Sequence, residues 1–148
     1  MSSLVVRVRV RIKVGGTSSS TDLVVLASGG AESPRPCIVV GPEVGEALRL
    51  WPPSRAEVYL VEEVSTTTEA YLLPNSVTLE LLDEEGNTLS NVRADLAIQD
   101  GVREPLITDI TIDELGIQVV SFSRGLWRHR NDPPSKVRES PRAVQPLR

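Results

Sequence analysis

The sequence predicts an all-β domain with one or two short helices, and three observations carry that prediction. Val6, Val8, Val10, Ile12 and Val14 alternate with Arg7, Arg9, Arg11 and Lys13, the period of two expected of a half-buried strand. Aromatic residues make up only 3% of the chain against 40% apolar, so the core must come from Val, Leu and Ile, types that favour strands. Turn-forming clusters such as Gly15–Gly16–Thr17–Ser18 and Gly86–Asn87 separate apolar runs of strand length, which is the punctuation of a β protein.

The elements follow in order. The alternating run Val6–Val14 is the first strand, and a Gly/Ser turn over 15–20 leads to a short buried strand at 23–26. A loop with two glycines and two prolines occupies 27–36. Pro42 suits the first turn of a helix, and Val44, Ala47 and Leu48 share one face, so 42–50 is a short helix stopped by Trp51–Pro52–Pro53. Residues 56–62 and 69–73 read as a hairpin around the polar tip 65–68, and 77–82 with 92–98 as a second hairpin turning at 83–87. Leu106–Ile107 is a short apolar run. It precedes a helix at 111–115 that Gly116 can end in a left-handed cap. Strands at 117–120 and 126–130 close the pattern. A weak repeat is visible: Thr21–Asp22–Leu23–Val24–Val25 is echoed by Ala94–Asp95–Leu96–Ala97–Ile98, each followed by an apolar run and a short helix.

At 148 residues the chain suits one domain. The expected folded unit is 1–130, with 131–148 a disordered, Pro-rich, basic tail. A net charge of −4 and a pI near 5.1 disfavour nucleic acid as a partner. No run is long and apolar enough for a membrane helix, and the N-terminal arginines break up the uncharged core a signal peptide needs. Cys37 is the single cysteine, so no internal disulfide can form, and a cytoplasmic setting is expected. No metal or cofactor is expected, because no ligand cluster, phosphate loop or dinucleotide motif is present.

Two segments carry a resemblance. Leu23–Val24–Val25–Leu26–Ala27–Ser28–Gly29–Gly30–Ala31–Glu32 is an apolar strand running into a Gly-Ala loop. Pro105–Leu106–Ile107–Thr108–Asp109 leads into Ile110–Thr111–Ile112–Asp113–Glu114–Leu115–Gly116–Ile117. Together with Gly125–Leu126–Trp127–Arg128, these resemble the retropepsin-like aspartic proteases, especially the short single-domain microbial members. The resemblance implies a closed acid-protease barrel, a homodimer whose protomers each supply half of a cleft, and a flap-like hairpin at 63–71. It also implies a pair of aspartates sharing one proton while activating water for peptide hydrolysis.

The resemblance places Ser28 where that aspartate would stand, Gly29 at the hydroxyl residue after it and Gly30 at the motif glycine. A serine hydroxyl with no adjacent base supplies neither acid nor base. The expectation is therefore an inactive homodimer with a peptide- or protein-binding cleft. One alternative is a divergent aspartic endopeptidase using a displaced carboxylate, Asp22 or Asp109, with Glu32 a further acid on the loop. Another is a structural or regulatory dimer that recruits a partner through its tail.

Other residues have plain structural readings. His129 is the one histidine, and no third residue is evident to orient it toward Ser28 as a nucleophile pair. Trp51 and Trp127 read as core or interface anchors, the Arg7/Arg9/Arg11/Lys13 row as a solvent face, and Thr108 as a departure from the family glycine.

Overall fold

The alternation at the N-terminus forms β1 (Val6–Val14): all five apolar side chains are buried, while Arg9 and Lys13 are exposed. The computed structural model describes residues 5–53, 57–62 and 67–143, and these are mainly β with two short helices. After β1 come β2 (Ser20–Ala27), β3 (Cys37–Val40), α1 (Pro42–Ala47), β4 (Glu57–Glu62) and β5 (Thr67–Leu82). They are followed by β6 (Thr88–Gln99), β7 (Leu106–Ile107), α2 (Asp109–Leu115), β8 (Ile117–Ser121), β9 (Leu126–His129) and β10 (Arg138–Glu139). One sheet has the order β1-β2-β7-β3-β6-β5-β4, with β1 also paired to β5, and a second has the order β10-β9-β8.

An internal exchange organises the first sheet. β2 runs parallel to β7 through Leu26↔Leu106 and Ala27↔Ile107, and β3 runs parallel to β6 from Cys37↔Asp95 to Val40↔Ile98. Between them β3 and β7 pair antiparallel, Ile38 opposite Ile107. The two echoing segments thus hold equivalent places, since β2 and β6 each pair with the short strand that leads into the other half's helix. Ile38, Val40, Leu96, Ile98, Ile107 and Leu115 meet Val6, Val8, Val10 and Ile12 in one apolar core.

Several elements differ from the sequence reading. β3 has no alternation to announce it: it is a central strand between β7 and β6, and the burial of Cys37, Ile38 and Val40 covers both of its faces, which explains the unbroken run Cys37–Val40. The strands expected at 69–73 and 77–82 are one strand, β5, because a register shift between Leu73 and Val77 absorbs Pro74. There Asn75 has φ 49, its amide donates to Asp95 Oδ1 at 2.7 Å, and its carbonyl accepts Arg93 Nη2 at 2.6 Å. α1 is shorter than expected, and α2 starts at Asp109 and ends, as read, on Gly116 at φ 79. β4 and β5 pair from Glu57↔Leu72 to Glu62↔Thr67. Of the expected flap and its tip, residues 63–66 lie outside the described residues.

Of the stretch expected to be a disordered tail, residues 131–143 differ most, and 144–148 lie outside the described residues. Residues 131–143 turn back, and β10 pairs with β9 through Arg138↔Trp127 and Glu139↔Leu126. What holds it is charge and not apolar periodicity. The Arg138 side chain, 4% exposed, donates to both oxygens of Asp132 at 2.8 Å and lies 5.6 Å over the Trp127 ring. Ser140 continues the contact, accepting the Arg7 amide at 2.9 Å and donating to the Gly125 carbonyl at 2.7 Å.

Candidate functional site at the Ser28 loop

The β2 strand ends at Ala27, held between Val6 of β1 and Ile107 of β7, so the next residues form a loop at a fixed place on the sheet. The Ser28 amide donates to the Ile107 carbonyl at 3.2 Å, and the Ala31 amide to the Ser28 carbonyl at 3.1 Å. Gly30, at φ +99, is in a conformation that L side chains rarely adopt. Its amide donates to Asp109 Oδ1 at 2.8 Å, and the Asp109 amide donates to the Ala31 carbonyl at 2.8 Å. The loop and the start of α2 are therefore tied in both directions.

Of the acids singled out in the sequence, the fold brings Asp109 to this loop and leaves Asp22 away from it. Asp22 lies six residues up β2, about 20 Å along an extended strand. It is paired with Arg11 at 2.7 and 3.1 Å. Glu32 lines an open groove of about 610 Å³ with Ser33, Pro34, Asp109, Ile110 and Asp113. The half-buried Ser28 hydroxyl makes no hydrogen bond among the described residues, so no base is in place to activate it. His129, the last residue of β9, is 2% exposed, and its Nδ1 accepts the Asn131 amide. It is not bonded to Ser28.

Thr108 fits its position through hydroxyl bonding. It is 3% exposed, its Oγ1 is 2.7 Å from Ser33 Oγ and 2.8 Å from Thr111 Oγ1, and Thr111 in turn donates to the Cys37 carbonyl at 3.1 Å. Ser33 Oγ also lies 2.6 Å from the Arg35 carbonyl. These four contacts have three hydroxyl protons to share, so one contact lacks a proton at any instant. The Cys37 amide completes the chain by donating to Thr111 Oγ1 at 2.8 Å. Burial, then the nearby Asp95, pushes the Cys37 thiol up to about 12, which removes it as a nucleophile.

On the other side of the loop lies an apolar surface that the sequence did not single out. The Phe122 ring, 51% exposed, lies 3.8 Å from where a Gly29 Cβ would be. With Ala27, Ile112 and Val119 it lines a depression of about 240 Å³. Val120, 48% exposed, belongs to β8, which ends the second sheet. An aromatic beside a serine-rich turn has no periodicity to betray this role.

The tryptophans and the basic row take structural roles. Trp51 packs edge-on to Tyr71 at 5.4 Å, and Trp127 is buried in the core under Arg138. Arg7 pairs with Glu104, Arg11 with Asp22 and Glu80, and Lys13 with Glu80. Among the described residues no group of three or more His, Cys, Asp or Glu is placed to hold a metal ion, and no helix is long and apolar enough to cross a membrane. A scan against protein-family models and a search of the curated proteins find no match to this chain.

Proposed function

We propose that this chain is a catalytically silent, retropepsin-like protomer that pairs with a second copy and holds an extended peptide or unfolded protein segment in the shared cleft. The strand pairings run β1-β2-β7-β3-β6-β5 and return to β1, a circuit that supports a closed barrel. The parallel exchange of β2 and β6 with β7 and β3 supports the same reading.

The observation that carries the loss of catalysis is the loop after β2. Its motif position holds the unpartnered hydroxyl of Ser28, and the carboxylate the fold brings beside it, Asp109, is committed to the Gly30 amide. Neither arrangement is half of a proton-sharing acid pair. Binding needs no such pair, because an extended chain adds to a sheet edge by main-chain hydrogen bonds. β4 ends the strand order and supports that mode. Exposed Phe122 beside Gly29 supports an isologous contact at this face.

A second reading, a hydrolase built on Asp109, has one observation in its favour: Asp109 is the acid held at the loop, 2.8 Å from the Gly30 amide. Fluorescently labelled casein, an unfolded protein, separates the readings. Saturable anisotropy with the casein intact on a gel is the expected result. Fragments that vanish with Asp109→Asn would establish the hydrolase, and the absence of any anisotropy change would remove the cleft.

A further inference from the structure

The connection from β9 to β10 is built around a buried histidine. His129 accepts the Asn131 amide on Nδ1 at 3.3 Å, so the neutral ring carries its proton on Nε2, which is buried and faces the Leu115 carbonyl without the geometry of a full hydrogen bond. The His129 amide donates to Asp132 Oδ2 at 2.8 Å, and the Asp132 amide returns to the His129 carbonyl at 2.8 Å. Asp132 is also the anchor of Arg138, so the turn at the imidazole and the attachment of β10 share one carboxylate. Arg128 steadies the same connection, donating to the Asp132 and Pro134 carbonyls at 2.8 and 3.1 Å.

We propose that residues 130–140 form an acid-released latch, in which protonation of His129 opens the turn to Asp132 and frees β10 from β9. A proton added at Nδ1 sets two donors, the imidazolium N–H and the Asn131 N–H, against each other at 3.3 Å. The ring has little access to water that would solvate the new charge. The charged groups facing it are Asp132 in the turn, Arg130 just after the end of β9 and Arg138 on β10. From α2 the facing group is the Leu115 carbonyl, and from β8 the cross-strand partner is Ile117. Two of the three charges are positive and oppose a third cation.

The direction of the pH effect agrees. Burial, chiefly, holds the His129 imidazole below the ordinary histidine value of 6.5, with Asp132 and the Leu115 carbonyl acting against it and Arg130 and Arg138 with it. An opened segment therefore binds a proton near 6.5 while the latched one does not. The latch loses stability as pH falls from 6.5 through the lower latched value and changes no further below it. Asp132, held down to about 2 mainly by Arg138, stays ionised throughout that range. Opening there belongs to the histidine and not to loss of the anchor's charge. Release uncovers the outer edge of β9 and takes Glu139 and Ser140 from the wall of the depression of about 220 Å³ that they form with Arg9, Leu82 and Trp127 among others.

The test follows the Trp127 indole N–H resonance and the Arg138 and Glu139 amides of the full chain by NMR from neutral pH down to the carboxylate range. The expected result is a reversible shift of Trp127, with protection of the two amides falling by up to about tenfold per pH unit through the transition. The His129 imidazole carbons should titrate with the same midpoint. His129→Asn keeps an acceptor for the Asn131 amide and cannot titrate, so it should stay latched over that range. An unshifted Trp127 in the wild type, an imidazole midpoint apart from that of release, or the same transition in folded H129N would each overturn the latch.

Discussion

The Asp109 carboxylate accepts the Gly30 amide at 2.8 Å, and through this bond the first turn of α2 holds the loop that carries Ser28. The acid bonded to the motif loop thus acts as a brace. Asp109→Ala removes the acceptor at a solvent-exposed contact and should cost about 0.5–1.5 kcal/mol in chemical denaturation, while Asp109→Asn should recover most of it. Equal stability of wild type and D109A would show that the brace is not formed in solution.

Thr111 joins β3 to α2 at a fully buried point, taking the Cys37 amide and returning a proton to the Cys37 carbonyl. Thr111→Val keeps the shape and strands that amide without a partner. A loss of about 1–3 kcal/mol is expected, with the fold retained by circular dichroism. A neutral result would mean that water or Thr108 takes over.

Phe122 is half exposed next to Gly29, where the proposed second copy would sit. Phe122→Asp should change folding stability by no more than about 0.5 kcal/mol, because its site is on the surface. In an isologous contact it would set like charges face to face. Sedimentation equilibrium should give a dimer for the wild type and a monomer for the variant. A wild-type monomer at every concentration removes the dimer from the account.

Asp132 makes a second, more acidic contribution. Its carboxyl is lowered from 3.8 to about 2, first by its hydrogen bonds to Arg138. That stability is complete above 3.8 and is lost as pH falls through about 2. In Asp132→Asn the unfolding midpoint should be lower at neutral pH and the gap from wild type should narrow toward pH 2. A gap that stays constant with pH would assign the effect to packing.

What the sequence disclosed followed from its periodicities. β1 shows its alternation because one face is buried and the other carries Arg and Lys, and Gly116 marks the end of α2 because a left-handed cap suits glycine. β3 leaves no signal because a strand buried on both faces has no alternation, and Pro74 reads as a stop within β5 because the bonds from Asp95 and Arg93 that secure Asn75 exist only in the fold. The segment after Asn131 reads as unstructured because Arg138 offers no apolar signal, and its partners Asp132 and Trp127 meet it only in three dimensions. Within the site, Ser28 and Asp109 were both singled out, but that one is unpartnered and the other engaged is a matter of geometry.

The account rests on the absence of water activation at Ser28, and the most direct measurement is hydrolysis of an unfolded protein from acid to neutral pH. The wild-type chain should release no fragments above a buffer blank at any pH, and Asp109→Asn should leave that baseline where it is. Sustained cleavage by the purified chain that is abolished in D109N would contradict the account and make Asp109 the catalytic acid.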